Sequence, residues 1–400
     1  MSVDYTRGLS LRSGKVLTLS TELTPSAPYF FGHQIPGQLP ARLKAAARAE
    51  PADQYFLVSD PAVASLYGAR VHNDLAASGV ATHSVPLAAG EQAKTFAHLE
   101  RLCETLICRG ATKRSVLVAL GGGSVGNVAG LAAGLLFRGI RHAEIPTTFT
   151  HLTDGSLSNK QAVNGRRGKN HLGLYHAPIL IWADTHFLAS EPRRLRDAGL
   201  VEAVKNGLVD QPEFLFHLRA ALHPDGSYTP EELTDLAYKT VLAKLEILKK
   251  DPTEKHYGIV LEYGHTFAHA IEWLARGSLL HGEAVGLGLR IAARLAHRLG
   301  LIPEDIVALH DALVENFLGM QIQLPEAATG AALMQTMRDD NKRTGPLIRY
   351  CLLERLGACA NPAGGYLTAV EDHIVLGVLH AFEQEERTRR GRTPELHARR

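Results

Sequence analysis

The chain has 400 residues, 45% of them hydrophobic and 21% charged, with a formal net charge of +2 at pH 7. That length exceeds what one compact core usually holds, so two domains are expected. The near-neutral balance gives no electrostatic case for a nucleic-acid or membrane partner, and four cysteines without Cys-x-x-Cys spacing fit reduced, mostly buried thiols of a cytoplasmic protein.

In chain order, "MSVDYTRGLSLRSGK" has no apolar signal core, so export is not expected. "QYFLVSD" (54–60) reads as a buried strand ending in Asp60, and "VATHSVPL" (80–87) as a second strand, followed by a loop with Glu91 and Lys94. "FAHLERLCETLICRG" has helical spacing and stops at Gly110. Residues 115–137, "SVLVALGGGSVGNVAGLAAGLLF", carry no charge and are long enough to span a bilayer. Gly121, Gly122 and Gly123 would break such a helix near its start, so a buried strand, a glycine turn and a buried helix explain the stretch better. "HAEIPTT" is a further strand ending at Thr147 and Thr148. Strands alternating with helices specify a doubly wound parallel sheet, which binds ligands at the carboxyl ends of its strands.

From about residue 186 the pattern turns helical. "TPEELTDLAYKTVLAKLEILKKD" opens with Thr229 as N-cap, Pro230 at the first helical position and Glu232 as the capping-box acid. The expected organisation is an α/β domain over 1–185, a mainly helical domain over 186–385, and a disordered basic tail, "RTRRGRTPELHARR", within 386–400.

Several stretches carry chemistry. The turn "ALGGGSVGNVAG" joins a strand to a helix, where backbone N–H groups and the helix terminus favour a phosphate. It departs from G-x-G-x-x-G, so glycines that only permit close packing are an equal account. "TDGSLSNKQAVNGRRGKNHLG" (153–173) gathers Asp154, Lys160, Asn164, Lys169, Asn170 and His171, a set suited to an anionic substrate such as a phosphate. Glu202 and Lys205 stand three apart on one helix face. In "LEYGHTFAHAIE" and "LLHGEA", the residues Glu262, His265, His269 and His281 are all candidate metal ligands. A metalloprotease HExxH is excluded, because Thr266 follows His265 where the general base belongs.

Taken together, "GGGSVGNVAG", "FRGI", "PTT", "GKN", "VEAVKN", "EYGHTFAHAIE", "HGEAV" and "DNKR" resemble, in order, the dehydroquinate synthase-like sugar phosphate cyclases. The resemblance spans about 60–357. It implies an NAD-binding α/β domain, a helical metal-binding domain and a homodimer, with NAD and one divalent ion, zinc or cobalt, as cofactors. It implies Glu202, His265 and His281 as the metal ligands. Catalytic groups would be Asp154, Lys160, Lys205, Lys244, Glu262 and His269. Arg138, Lys160, Lys169, Asn170, Lys342 and Arg343 would bind the sugar phosphate. Asp60, Glu91, Lys94, Gly121, Gly122, Gly123, Ser124, Asn127, Thr147, Thr148 and Lys169 would meet the dinucleotide.

Dehydroquinate synthases carry Arg and Asn seven and three residues before the first metal histidine. Here Gly258 and Glu262 stand there. A substrate carboxylate buried without the arginine would lack a partner. "LSNKQAVN" and Lys205-Asn206 resemble instead the 2-deoxy-scyllo-inosose synthases of aminocyclitol antibiotic pathways. That resemblance implies glucose 6-phosphate as substrate, with transient oxidation, phosphate elimination, reduction, ring opening and aldol closure. A cyclase of sedoheptulose 7-phosphate, a dehydroquinate synthase and an iron-type alcohol dehydrogenase are the alternatives.

Overall fold

The computed structural model describes residues 16–19, 27–35, 37–47, 50–166, 168–338 and 347–392. Two compact units divide it. The sheet unit takes the described residues of 16–196 and 228–245, and the helical unit those of 197–227 and 246–392.

The sheet unit is built on β1 (Val16–Leu19), β2 (Tyr29–Gly32), β3 (Gln54–Ser59), β4 (Ala81–Pro86), β5 (Val116–Gly121), β6 (Arg141–Pro146) and, after a separate hairpin of β7 (Lys160–Gly165) and β8 (Gly168–Tyr175), β9 (Leu180–Asp184). Seven of these form one sheet in the order β1-β2-β9-β6-β5-β3-β4. All its pairs are parallel except β1 with β2. The inner strands β3, β5, β6 and β9 are buried almost throughout because both faces are covered, whereas the edge strand β4 is largely exposed. Side chains alternate between two cores: Leu117 and Ala119 of β5 join Phe56 and Val58 on one face, while Val116, Val118 and Leu120 join Tyr55 and Leu57 on the other. Between β4 and β5 the chain crosses back over β3, so the winding direction reverses between β3 and β5. A crevice outside the carboxyl ends of those two strands is the ligand site of such a sheet. Asp60 and the glycine turn stand there.

The uncharged stretch 115–137 divides as its glycines require, into β5, a helix Gly123–Leu135 and a short 3-10 turn Leu136–Arg138. A β-carbon on Gly126 would lie 2.6 Å from the His151 ring, so this glycine exists to let a histidine side chain reach the helix backbone. No helix among the described residues is long and apolar enough to cross a membrane.

The helical unit holds the helices Pro212–Ala221, His265–Ala275, His281–Arg298, Glu304–Ala312, Gly330–Arg338 and Asp372–Arg392. The helix Pro230–Lys250 begins as its sequence predicts. Thr229 Oγ1 accepts from Glu232 N at 3.2 Å, and Glu232 Oε2 accepts from Thr229 N at 2.8 Å. One expectation needs correction. The segment expected as a tail from 386 is helical as far as Arg392, because Glu386 is buried and accepts from Arg290 at 2.9 Å; residues 393–400 lie outside the described residues. Of the four thiols, Cys351 and Cys359 are buried, Cys103 packs half-buried against the sheet core and Cys108 is exposed.

Within this unit His310 is buried between the Tyr263 hydroxyl (2.9 Å from Nε2) and the Ile306 carbonyl (2.7 Å from Nδ1). Burial pushes its pKa down from the ordinary 6.5 to about 4. Between those two pH values the unfolded chain binds the proton that the folded chain refuses, so stability falls as pH falls through this window. The gap is worth ~3 kcal/mol. Denaturant unfolding at pH 7 and pH 4 is expected to show that loss, and His310→Asn to reduce it. An equal loss in the variant would assign the effect elsewhere.

Candidate metal and dinucleotide sites

In the helical unit, Glu202 lies on the helix Arg193–Val209, His265 opens the helix His265–Ala275 and His281 opens the helix His281–Arg298. Gly264, at φ 77°, turns the chain into the first of these histidine helices. A side chain there would need a left-handed backbone and would press on Leu289 N at 2.9 Å. The second helix is fixed by Glu283, whose carboxylate accepts from Leu280 N at 2.7 Å.

Three donor atoms converge. Glu202 Oε1 stands 3.6 Å from His265 Nε2 and 3.5 Å from His281 Nε2. Two ligands at ~2.1 Å from one ion and at a tetrahedral angle lie ~3.4 Å apart, so both edges from Glu202 have the length of a coordination sphere, and the three atoms all lie within 4.8 Å of one another. Glu202 is 1% exposed, and its Oε1 is buried with no hydrogen-bond partner among the described residues. An orphaned carboxylate oxygen faced by two imidazoles fits a divalent cation. Its other oxygen accepts from Lys205 Nζ. Burial opposes the Glu202 charge, yet Lys205 and the two histidines outweigh it and hold the carboxyl well below its usual range.

Neighbours aim both rings. His265 Nδ1 faces the Tyr263 carbonyl at 3.2 Å, and His281 Nδ1 faces Glu272 Oε2 at 3.2 Å, which leaves each Nε2 for the ion. Burial, with Lys205 nearby, pushes His265 down to about 3, so its lone pair is available at neutral pH. The Tyr263 carbonyl therefore orients His265. Glu272 was not read from the sequence as part of the site, although "HAIE" places it seven residues after His265, on the same helix face. Glu272→Ala is expected to weaken metal binding by about 10- to 100-fold, measured by chelator competition; unchanged affinity would remove Glu272 from the assembly. His269 is half-buried and does not join the triangle. Its ring centroid lies 5.6 Å from that of His265 and 6.2 Å from that of His281.

In the sheet unit the dinucleotide candidates gather at the strand ends. Gly122 caps the helix Gly123–Leu135 without a side-chain acceptor, so its first N–H groups, those of Gly123 and Ser124 among them, suit an anion; Asn127 follows one turn on, half-buried. Thr147 N donates to Gly121 O at 3.0 Å, and Thr148 caps the next short helix through its hydroxyl. Thr147 Oγ1 is buried with no protein partner. Asp60 ends β3 as expected, but its Oδ1 accepts from Ala62 N and Val63 N, so one carboxylate oxygen caps a helix. Asp154 pairs with buried Lys244, which donates to both its carboxylate and its carbonyl.

The hairpin β7–β8 was not expected. Its first strand, Lys-Gln-Ala-Val-Asn-Gly, has no apolar alternation to mark it, and Asn164 and Gly165 lie within the strand, where Gly165 pairs with Gly168. The hairpin separates residues that the sequence grouped together. Lys160 pairs with Tyr175 at one end, whereas Lys169 and Asn170 lie near the turn, ~13 Å further along β7. At the turn end, Lys169 Nζ meets Glu91 Oε1 at 3.0 Å and Lys94 Nζ donates to Asn170 Oδ1 at 2.6 Å. Burial works against the Glu91 charge, but Lys94 and Lys169 outweigh it and lower its pKa. Arg138 is exposed after Phe137, both with left-handed backbone (φ 68° and 52°). Lys342 and Arg343 lie outside the described residues.

Comparison with known proteins agrees with this geometry. The family description 3-dehydroquinate synthase N-terminal matches residues 84–197, and 3-dehydroquinate synthase C-terminal matches 199–343. A 2-deoxy-scyllo-inosose synthase from Streptomyces kanamyceticus is 38% identical over 350 residues, covering 86% of this chain and 89% of that protein. One from Streptomyces fradiae is 41% identical over 322 residues, covering 80% and 73%. The crystal structure of 2-deoxy-scyllo-inosose synthase complexed with carbaglucose-6-phosphate, NAD+ and Co2+ superposes with a TM-score of 0.83 at 32% identity, covering 91% of this chain and 99% of that one. The chain belongs to the dehydroquinate synthase-like sugar phosphate cyclases, and within them to the 2-deoxy-scyllo-inosose synthase family.

Proposed function

We propose that this protein converts glucose 6-phosphate to 2-deoxy-scyllo-inosose and inorganic phosphate, with NAD and one divalent ion, zinc or cobalt, in aminocyclitol antibiotic biosynthesis. The observation that carries the reading is the Glu202–His265–His281 triangle in a chain aligned with 89% of a 2-deoxy-scyllo-inosose synthase. When bound, NAD supplies a reversible hydride acceptor and the ion a Lewis acid for a sugar hydroxyl.

The chain's own groups have distinct tasks. Lys205 balances the charge of Glu202 and His269 faces the sugar. Glu262 accepts from a sugar hydroxyl where a dehydroquinate synthase has Asn. Lys244 holds the Asp154 carboxylate in an ion pair, and Asp154 exchanges a proton with the substrate. Lys169 and Asn170, at the turn end of the hairpin, hold phosphate oxygens with Lys342 and Arg343, while Lys160 meets the substrate from the other end. The position of the absent arginine supports a substrate without a carboxylate: Gly258 is buried, and a β-carbon there would lie 3.2 Å from Asp251 Oδ2.

The protein works as a cytoplasmic homodimer in this reading. Leu135, Phe137, Leu172 and Tyr175 are exposed around Arg138, and a second copy covering them would receive that arginine.

The test is phosphate release from the NAD- and metal-loaded enzyme with glucose 6-phosphate and with sedoheptulose 7-phosphate, with the carbocycle identified by mass and NMR. Release from the hexose phosphate without net NADH is expected. Release from the heptulose phosphate alone would overturn the substrate, and accumulating NADH would indicate a dehydrogenase.

A further inference from the structure

Asn164 carries no assigned role, yet it is the junction of the network at the hairpin turn. Its Nδ2 donates to Glu91 Oε1 at 2.8 Å, its Oδ1 accepts from Asn170 N at 3.0 Å, and its own backbone N donates to Lys94 O at 2.8 Å. Both halves of the carboxamide are thereby used, one on each of two segments distant in sequence. The first segment is the turn Glu91–Ala93, which lies between β4 and the following helix with Ala93 buried in the core. The second is the start of β8, where Asn170 has a left-handed backbone (φ 54°). A non-glycine residue keeps that conformation only when its surroundings fix it. The bond from Asn170 N to Asn164 Oδ1 supplies one such constraint, and the Lys94 ammonium on Asn170 Oδ1 supplies another.

We propose that Asn164 is a positioning residue. It holds the Glu91 carboxylate for the dinucleotide, and in the same amide plane it holds Asn170 for a substrate phosphate. This rests on the proposed function, which gives Asn170 the phosphate and the protein its NAD, and on the family resemblance, which places Glu91 at that NAD. A carboxamide suits the task, because only a side chain with a donor and an acceptor side by side can bridge a carboxylate and a backbone N–H. Leucine would fill the space and orient neither group. Aspartate would keep the bond to Asn170 N and repel Glu91. Asn164 itself need not touch either ligand.

The test is a double-mutant cycle on NAD+ affinity, read by titration calorimetry of the metal-loaded full chain. Asn164→Ala is expected to raise the Kd for NAD+ about tenfold in the wild-type background. In the Glu91→Ala background it should raise Kd less than about twofold, since a residue acting through Glu91 has nothing left to position. Asn164→Asp should raise the Kd for NAD+ while changing the KM for glucose 6-phosphate by less than about twofold, because the acceptor for Asn170 N survives. An equal effect of Asn164→Ala in both backgrounds would overturn the proposal and leave a hairpin brace. So would an unchanged Kd in wild type. Should Asn164→Ala fail to fold, Asn164→Asp decides alone: an unchanged Kd for NAD+ overturns the proposal. Calorimetry needs no turnover, so a wild-type protein that binds NAD+ but leaves glucose 6-phosphate intact would sink the substrate reading and not this one.

Discussion

Exchange of Glu202 for Gln is expected to remove the divalent ion and lower kcat/KM with glucose 6-phosphate by about a thousandfold or more. The substitution preserves shape and takes away one charge. That charge has two duties: Oε1 completes the triangle with the two histidine Nε2 atoms, and Oε2 accepts from Lys205. Lys205 is 3% exposed, so its ammonium would lose this carboxylate while still buried. Breaking one side of a buried ion pair costs about 3–5 kcal/mol. The variant should therefore lose stability as well as metal. Glu202→Asp, which keeps the charge but withdraws it by one methylene, should recover part of the stability and less of the activity. Elemental analysis after gel filtration, thermal unfolding and the phosphate-release assay check the three effects. A Glu202→Gln protein with full metal content and wild-type rate would show that the ligand set lies elsewhere.

Lys244→Met should lower turnover by about a hundredfold with metal content unchanged. The Lys244 side chain is 4% exposed and donates twice to Asp154, which is 25% exposed. Methionine fills the same volume and leaves the Asp154 carboxylate without its cation, so its proton affinity rises. Because Asp154 keeps some contact with water, the cost to folding should be smaller than for Glu202, about 2 kcal/mol. Lys244→Arg restores a charge but not a compact ammonium, and should recover stability more than rate. The informative comparison is metal content. Neither residue belongs to the Glu202–His265–His281 triangle, so a Lys244→Met protein that loses the ion together with its thermal transition has unfolded rather than lost a proton-transfer group.

The two variants also separate the site's two kinds of legibility. The family resemblance carried by the order of the motifs was enough to name Glu202, His265 and His281, whereas spacing left Glu262, His265, His269 and His281 all open and did not point to Glu202. His269 shows the limit of spacing alone. It shares a face with His265, yet the third ligand comes from His281, at the start of another helix. What aims the rings was not legible: a main-chain carbonyl carries no sequence signature, and Glu272 becomes a partner of His281 only when two helix ends meet. The hairpin failed for a different reason. Its first strand, Lys160–Gly165, carries two polar, two apolar and two turn-forming residues in sequence, a pattern with no period of two. Grouping Lys160 with Lys169 treated nearness in sequence as nearness in space, and a strand of six residues keeps such ends apart.

By itself the sequence determined the layered α/β architecture, the helical second half, the caps of the long helix Pro230–Lys250 and the family. These rest on local periodicity and on motif order, which survive in one dimension. Tertiary structure alone decided that Gly126 makes room for His151, that Asp60 also caps a helix, that Arg290 anchors the helix expected to be a tail, and that Asn164 joins Glu91 to Asn170. Each of these is a contact between segments far apart in the chain. A hydrogen bond or a close approach of that kind depends on how strands and helices are placed, and residue spacing does not encode it.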